Sequence, residues 1–264
     1  MYFLKNKDFN KGGSQETSII SGRNAVSEAL VSGRPINSVY IKKGGISGSL
    51  KVIVSKAKQQ GIAVKEVDQK KLDFMCGFSN HQGVAASAAE KEFSSFEDIL
   101  DCASDRKENP FILICDEIED PHNFGAILRT AECSGAHGVI IPKRRSAGLT
   151  FSVGKASAGA IEHIHVARVN NLADTIEKLK SQGIWIYAAD MDGDNWCELD
   201  YRGPCALVIG SEGKGISRLI KEKSDFKVSL PLMGKINSLN ASVAAGILSY
   251  EICRQRKGLK SFNF

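Results

Sequence analysis

The densest group of chemically useful residues in this chain is Gly210-Ser211-Glu212-Gly213-Lys214-Gly215. Three glycines let backbone amides approach a ligand closely, with a carboxylate and an ammonium beside them. The spacing is not that of a Walker A loop, because Ile216 stands where that motif needs lysine, and it is not G-x-G-x-x-G. On spacing alone, a glycine-rich turn without a ligand stays open. A second block, Gly234-Lys235-Ile236-Asn237-Ser238-Leu239-Asn240-Ala241-Ser242, leads into a helix-like stretch, with Ser238 reading as its N-cap. Ala241, Ala244, Ala245, Gly246 and Ser249 would let another backbone pack close, inside the unit or at a dimer seam.

Other reactive types are scattered. Arg129 stands among apolar Ile127, Leu128 and Ala131, where it either snorkels, pairs with Glu132 or faces a ligand. Asn123, taken alone, reads as a helix cap. Lys143-Arg144-Arg145 suits phosphate contacts or a solvated loop. His163 and His165 share one strand face without a third ligand, so no metal is expected. None of the seven cysteines forms a C-x-x-C pair, which points to buried, reduced thiols.

Strands and helices must position these groups. Residues 1–17 are polar and aperiodic, a disordered arm. Over 18–90 a helix around Val26–Leu30, which Ser21 would cap, precedes strand-like Ile36–Lys43, helix-like Leu50–Gln60 and strand-like Ile62–Asp68. A short helix near Lys71–Cys76 and a strand near Gly83–Ala88 complete a small α/β domain. Residues 91–109 read as a linker with one helix, and 110–264 as a second domain. That domain has apolar strands at Phe111–Ile118, Gly138–Pro142, His163–Val169, Ile184–Asp190, Cys205–Gly210 and Phe226–Leu232. Helical patterns over Phe124–Ala136, Leu172–Gln182, Ile216–Glu222 and Leu239–Arg256 separate most of them. Strands this apolar imply a mostly parallel sheet covered on both faces. Ligands of such sheets bind beyond the carboxyl ends of the strands, where the polar and glycine-bearing segments named above cluster.

The bulk numbers agree with a folded, two-domain chain. It has 264 residues, 42% of them hydrophobic, and a formal net charge of +5 that permits a polyanionic partner without requiring one. No apolar run of about eighteen residues and no signal-peptide core is present, so a cytoplasmic protein without membrane contact is the expectation.

Taken in order, NFGAILRTAECSGAHGVII, LVIGSEGKGIS and LPLMGKINSLNASVAAGIL resemble the three motifs of the SpoU/TrmH branch of the SPOUT RNA methyltransferases, and they span most of 111–256. Residues 20–90, opening with SGRNAVSEAL, are similar to the small RNA-binding domain, itself like a ribosomal large-subunit protein, that precedes the catalytic domain in one subgroup. The resemblance implies an α/β fold with a deep trefoil knot, which ordinary topology rules would have rejected. It implies S-adenosylmethionine as cofactor, held by loops that include Ala189, Gly210, Leu230 and Leu239. The catalytic set it carries over is Asn123, Arg129, Glu212, Ser238 and Asn240. It also implies a homodimer through the last helix, and methylation of a guanosine ribose 2′-hydroxyl in 23S ribosomal RNA. A transfer-RNA guanosine substrate, and a catalytically silent RNA-binding assembly factor on the same fold, stay open as alternatives.

Overall fold

A computed structural model of the protein describes residues 17–44 and 48–259. Two compact units meet between Lys91 and Glu92. The disordered arm expected over 1–17 lies outside the described residues except for Thr17, which opens a strand.

The first unit runs β1 (Thr17–Ser21), α1 (Arg23–Val31), β2 (Ile36–Lys42), α2 (Ser49–Gln59), β3 (Ala63–Val67), α3 (Gln69–Met75) and β4 (Val84–Ala89). Its sheet order is β1-β4-β2-β3, with only β2 and β3 parallel. Val26, Ala29 and Leu30 of α1 pack with Ile53 and Ala57 of α2 against Val39, Ile41 and Ala86 of the sheet. The spacings of four and three residues set these side chains on one face of each helix. Sequence periodicity missed β1, and Ser21 caps nothing: it ends that strand, and Gly22 is the N-cap residue of α1.

In the second unit the order is α4 (Phe96–Asp105), β5 (Phe111–Asp116), α5 (Pro121–Cys133), β6 (Gly138–Pro142), α6 (Phe151–Ala156), a 3-10 turn (Ala160–Glu162), β7 (His165–Val169), α7 (Leu172–Ser181), β8 (Trp185–Asn195), β9 (Cys205–Gly210), α8 (Arg218–Lys223), β10 (Phe226–Ser229) and α9 (Ala241–Arg256). Six strands in the order β10-β8-β9-β5-β6-β7 are all parallel. Strand side chains alternate between faces. Phe111, Leu113 and Cys115 of β5 therefore enter one core with α5 and α9, and Ile112 and Ile114 enter another with α4 and α7. The mostly parallel α/β sheet expected from the apolar runs is present.

Residues 92–109 are not a linker. Ser95 caps α4 in a reciprocal capping box with Asp98. Ile99 is fully buried in the second unit's core, against Gly138, where a Cβ would fall 2.5 Å from its Cγ1. The polar look of the segment reflects an amphipathic helix with one buried face. The helix α6, which sequence periodicity missed, packs so tightly on α5 that a Cβ on Gly125 would stand 2.5 Å from that of Ala156. Small residues bring α9 close to α5 within the unit: Ala241, Ala245 and Ser249 are buried, whereas Val243, Ile247 and Tyr250 are exposed. No helix among the described residues is long and apolar enough to cross a membrane.

The cysteine expectation holds in part. All seven are free thiols, but only Cys76, Cys115 and Cys205 are buried, while Cys133 and Cys197 are exposed. Charge divides unevenly. Residues 1–91 hold fourteen Lys/Arg against seven Asp/Glu, and residues 92–264 hold 21 against 23, so the excess positive charge belongs to the first unit.

Candidate functional site

Three chain segments converge beyond the carboxyl ends of β8, β9 and β10. The first is a bulge in β8. Its register with β10 jumps from Lys227↔Ala188 to Val228↔Asp194, which looses residues 189–193, Ala189, Asp190 and Met191 among them, from the pairing. Gly193 allows the close approach there, since a Cβ would sit 2.5 Å from the carbonyl carbon of Lys227.

The second is the turn after β9. Ser211 and Gly215 exchange backbone hydrogen bonds of 3.2 and 2.9 Å, and Gly213 and Gly215 adopt φ of 83° and 68°. A Cβ on Gly210 would lie 2.2 Å from the carbonyl carbon of Gly215, so only glycine fits. That glycine makes room for the turn's own backbone, a different reason from the ligand approach inferred from sequence. The buried Asp116 at the end of β5 accepts a 2.7 Å hydrogen bond from the Ser217 N–H and pins the turn to the sheet.

The third segment is the return from β10 to α9. The backbone groups of residues 231–239 find no backbone partner among the described residues, and Leu232, Asn237, Ser238 and Leu239 of this return line the cavity. Together the segments enclose a cavity of about 370 Å³, lined by Ala189, Gly210, Leu230 and Leu239 and flanked by Glu212 and Ser238. Burial would raise the Asp190 carboxyl in its wall, but the Lys221 ammonium and the Asp192 N–H outweigh that and hold it below the ordinary carboxylate range.

At the rim, three polar side chains far apart in sequence interlock. The Asn123 amide donates to Glu212 Oε1 at 2.9 Å, and the Asn240 amide donates to Asn123 Oδ1 at 2.9 Å and to the same Glu212 oxygen. Asn240 does this while capping α9: its Oδ1 accepts from the N–H of Ser242 (2.9 Å) and of Val243 (3.2 Å). The cap expected at Ser238 is thus at Asn240, and Ser238 is an exposed residue of the cavity rim. Asn123 is likewise no cap. Asp120 caps α5, accepting from the His122 and Asn123 N–H groups, with Pro121 in the first turn. The Asp-Pro pair was a readable start signal that apolar periodicity, beginning at Phe124, passed over.

Arg129 is not part of this cluster. It is exposed on α5, six residues from Asn123, which is about 240° around the helix and about 9 Å along it. It makes no hydrogen bond or ion pair among the described residues and does not line the cavity. In the basic triplet, Arg145 is bound to Glu117 at 2.6 Å. His165 Nδ1 lies 3.1 Å from Ser94 Oγ, and no group of three or more His, Cys, Asp or Glu among the described residues could hold a metal. Sequence reasoning also missed Ser211, which lines the cavity with a buried hydroxyl that has no hydrogen-bond partner among the described residues. A lone serine inside a glycine turn carries no signal that would have revealed this.

Comparison with known proteins accounts for both units. Residues 110–250 match the SpoU rRNA Methylase family, and residues 19–94 match the RNA 2'-O ribose methyltransferase substrate binding family. YacO of Bacillus subtilis (strain 168), named for the TrmH family of tRNA/rRNA methyltransferases, is 50% identical over 92% of this chain and 98% of its own. Among solved structures, an AdoMet-bound rRNA methyltransferase from Sinorhizobium meliloti superposes with a TM-score of 0.75 at 25% identity, covering 93% of this chain and 88% of that one. A TrmH/SpoU tRNA modifying enzyme of A. aeolicus is 31% identical, with a TM-score of 0.53, but covers only 57% of this chain and 77% of its own. The motif order, the parallel sheet and these matches have one common explanation: the chain belongs to the SpoU/TrmH family of RNA methyltransferases.

Proposed function

We propose that the protein transfers a methyl group from S-adenosylmethionine to the 2′-hydroxyl of a guanosine ribose in 23S ribosomal RNA, and that it works as a homodimer through α9. The observation that carries this reading is the Asn123–Glu212–Asn240 cluster set at the mouth of the 370 Å³ cavity. The residues present suit the cofactor. Ile209, Leu230, Leu239 and Leu248 offer apolar walls for a purine, the backbone of 231–239 offers donors and acceptors for its edge, and the orphaned Ser211 hydroxyl awaits a polar partner. When bound, S-adenosylmethionine supplies a sulfonium-activated methyl group.

The chain's own residues then have defined tasks. A ribose hydroxyl is a poor nucleophile at neutral pH, so positioning it in line with the methyl carbon supplies much of the rate. Glu212, fixed by two amide donors through one oxygen, keeps its other oxygen for the ribose, with Ser238 beside it on the rim. Asn240 ties that carboxylate to the start of α9. Arg129 binds the neighbouring phosphate or steadies the developing alkoxide. Proton abstraction by Arg129 would need a neutral guanidine, which is costly for a group with a pKa above about 12. Its exposure, and the absence of a hydrogen-bond or ion-pair partner among the described residues, fit a role toward RNA.

Two further observations support the finer parts of the reading. The rRNA enzyme of S. meliloti resembles both units, whereas the A. aeolicus tRNA enzyme covers only 57% of the chain, so the first unit favours a ribosomal substrate. Exposed Val243, Ile247 and Tyr250 recur at helical spacing along α9, an apolar stripe suited to a second copy. Mapping 2′-O-methyl marks in ribosomal and transfer RNA, with and without the gene, tests the proposal. Loss of one mark on a 23S guanosine is the expected result. Loss of a transfer-RNA mark instead would move the substrate, and no lost mark would remove the activity.

A further inference from the structure

The first unit spends structure on displaying an aromatic ring. Helix α3 ends in a Schellman motif: the Phe78 N–H donates to Asp73 O at 2.7 Å, and the Gly77 N–H donates to Phe74 O at 3.2 Å. Such caps usually close with an apolar contact between the residue at Phe78's position and that at Asp73's. Here the latter is a carboxylate, and Phe78 is 80% exposed. Phe78 also adopts φ of 57°, a left-handed conformation that disfavours bulky side chains. An exposed, strained phenylalanine contributes nothing to the core that would offset either feature.

Hydrogen bonds tie down the loop that carries it. The Ser79 hydroxyl donates to Cys76 O at 2.7 Å, and the Gln82 N–H donates to Asn80 Oδ1 at 3.2 Å. Buried His81 accepts from the Gly83 N–H through Nδ1 at 2.9 Å and bonds Asp73 Oδ1 through Nε2 at 2.9 Å. The Gln82 amide oxygen is held by the Arg23 N–H at 3.1 Å. A cleft of about 420 Å³ opens beside Phe78, with Lys42, Gln69, Asn80 and Gln82 among its lining. It lies in the unit that holds the chain's excess positive charge.

We propose that this cleft receives one unpaired nucleotide of the RNA substrate: the base stacks on Phe78, the amides of Gln69, Asn80 and Gln82 meet its edge, and Lys42 meets its phosphate. Single-stranded RNA is recognised through this combination of an aromatic face, amide groups and a cation. An apolar protein partner would not call for a lysine and three amides around the ring. The inference rests on the RNA-methyltransferase reading and adds to it the place where the first unit grips its substrate.

The test uses full-length protein with in vitro transcribed 23S ribosomal RNA and, in parallel, a transfer-RNA transcript. On the transcript that binds the wild type, Phe78→Ala should weaken binding about tenfold, with turnover at saturating RNA and S-adenosylmethionine affinity unchanged. Phe78→Trp should restore binding. Phe78→Gly, which relieves the backbone, should raise the melting temperature and still lose binding, which separates recognition from folding. The proposal is overturned if the alanine and glycine variants bind RNA like the wild type. It is equally overturned if they bind naked RNA normally but fail only on a pre-ribosomal particle, which would make Phe78 a protein contact. A wild-type protein that binds S-adenosylmethionine but neither RNA would defeat the substrate reading, and the cleft with it.

Discussion

The two units place functional side chains by opposite means. In the first, the proposed nucleotide cleft is largely local: residues 69–83 supply most of it, and hydrogen bonds between near neighbours hold it. In the second, Asn123, Glu212 and Asn240 come from three helix or strand ends separated by up to 117 residues. A local loop tolerates variation because little else depends on it. A distributed cluster inherits the rigidity of a sheet buried on both faces, which suits a reaction needing fixed in-line geometry, and it is vulnerable to changes far from the chemistry. Charge divides in the same way, with the basic excess in the first unit and a slightly acidic balance over the second.

The contrast can be broken by experiment. Ile99→Ala, in the segment that reads as a linker, should destabilise the protein by about 2–5 kcal/mol, as a buried core residue does. Denaturant unfolding measures this, and a loss below about 0.5 kcal/mol would return residues 92–109 to linker status. Arg129→Ala should lower turnover on RNA on the order of 10²-fold while leaving the thermal midpoint unchanged, the expected loss of one charge-stabilising donor that meets the bound RNA. Single-turnover methylation assays decide it, and near-full activity would remove Arg129 from the site. Asn240→Ala removes a helix cap and a cluster member together. It should cost about 1 kcal/mol of stability and impair activity, whereas Phe78→Ala should leave stability within about 0.5 kcal/mol.

The smallest expected effect is a pH dependence of the second unit. His137 is buried, accepts from the Phe111 N–H through Nδ1 and faces Glu108 through Nε2. Burial lowers its pKa from the ordinary 6.5, and the Glu108 hydrogen bond only partly opposes this. The unfolded chain therefore takes up the proton first, so the contribution is intact above pH 6.5 and declines as the pH falls below it. Thermal midpoints between pH 7.5 and pH 5.5 should fall more steeply for the wild type than for His137→Asn, and equal slopes would discard this assignment.

Much of the second unit was legible in sequence because its physics is one-dimensional. Runs such as FILICD and CALVIG read as strands covered on both faces, and their alternation with helical patterns implies a mostly parallel sheet. The glycines of the late turn and the polar residues after it could be placed beyond the strand ends by the same logic, while spacing alone left a ligand-free turn open. The cap positions were not. Asn123 and Ser238 both read as caps, yet Asp120 and Asn240 hold those places, because capping depends on where the helix begins in three dimensions.

The amino-acid order by itself determined the family motifs and the succession of elements, since motif and periodicity act along the chain, and the rim residues were named only through the family resemblance those motifs carry. Only the tertiary structure decided that Asn123 and Asn240 share one oxygen of Glu212, that Gly193 leaves room for the backbone of Lys227, and that Phe78 stands unburied on its loop. Those are facts of distance between segments far apart in sequence, or of exposure after packing. No local pattern encodes either, because each depends on what the rest of the fold has already placed nearby.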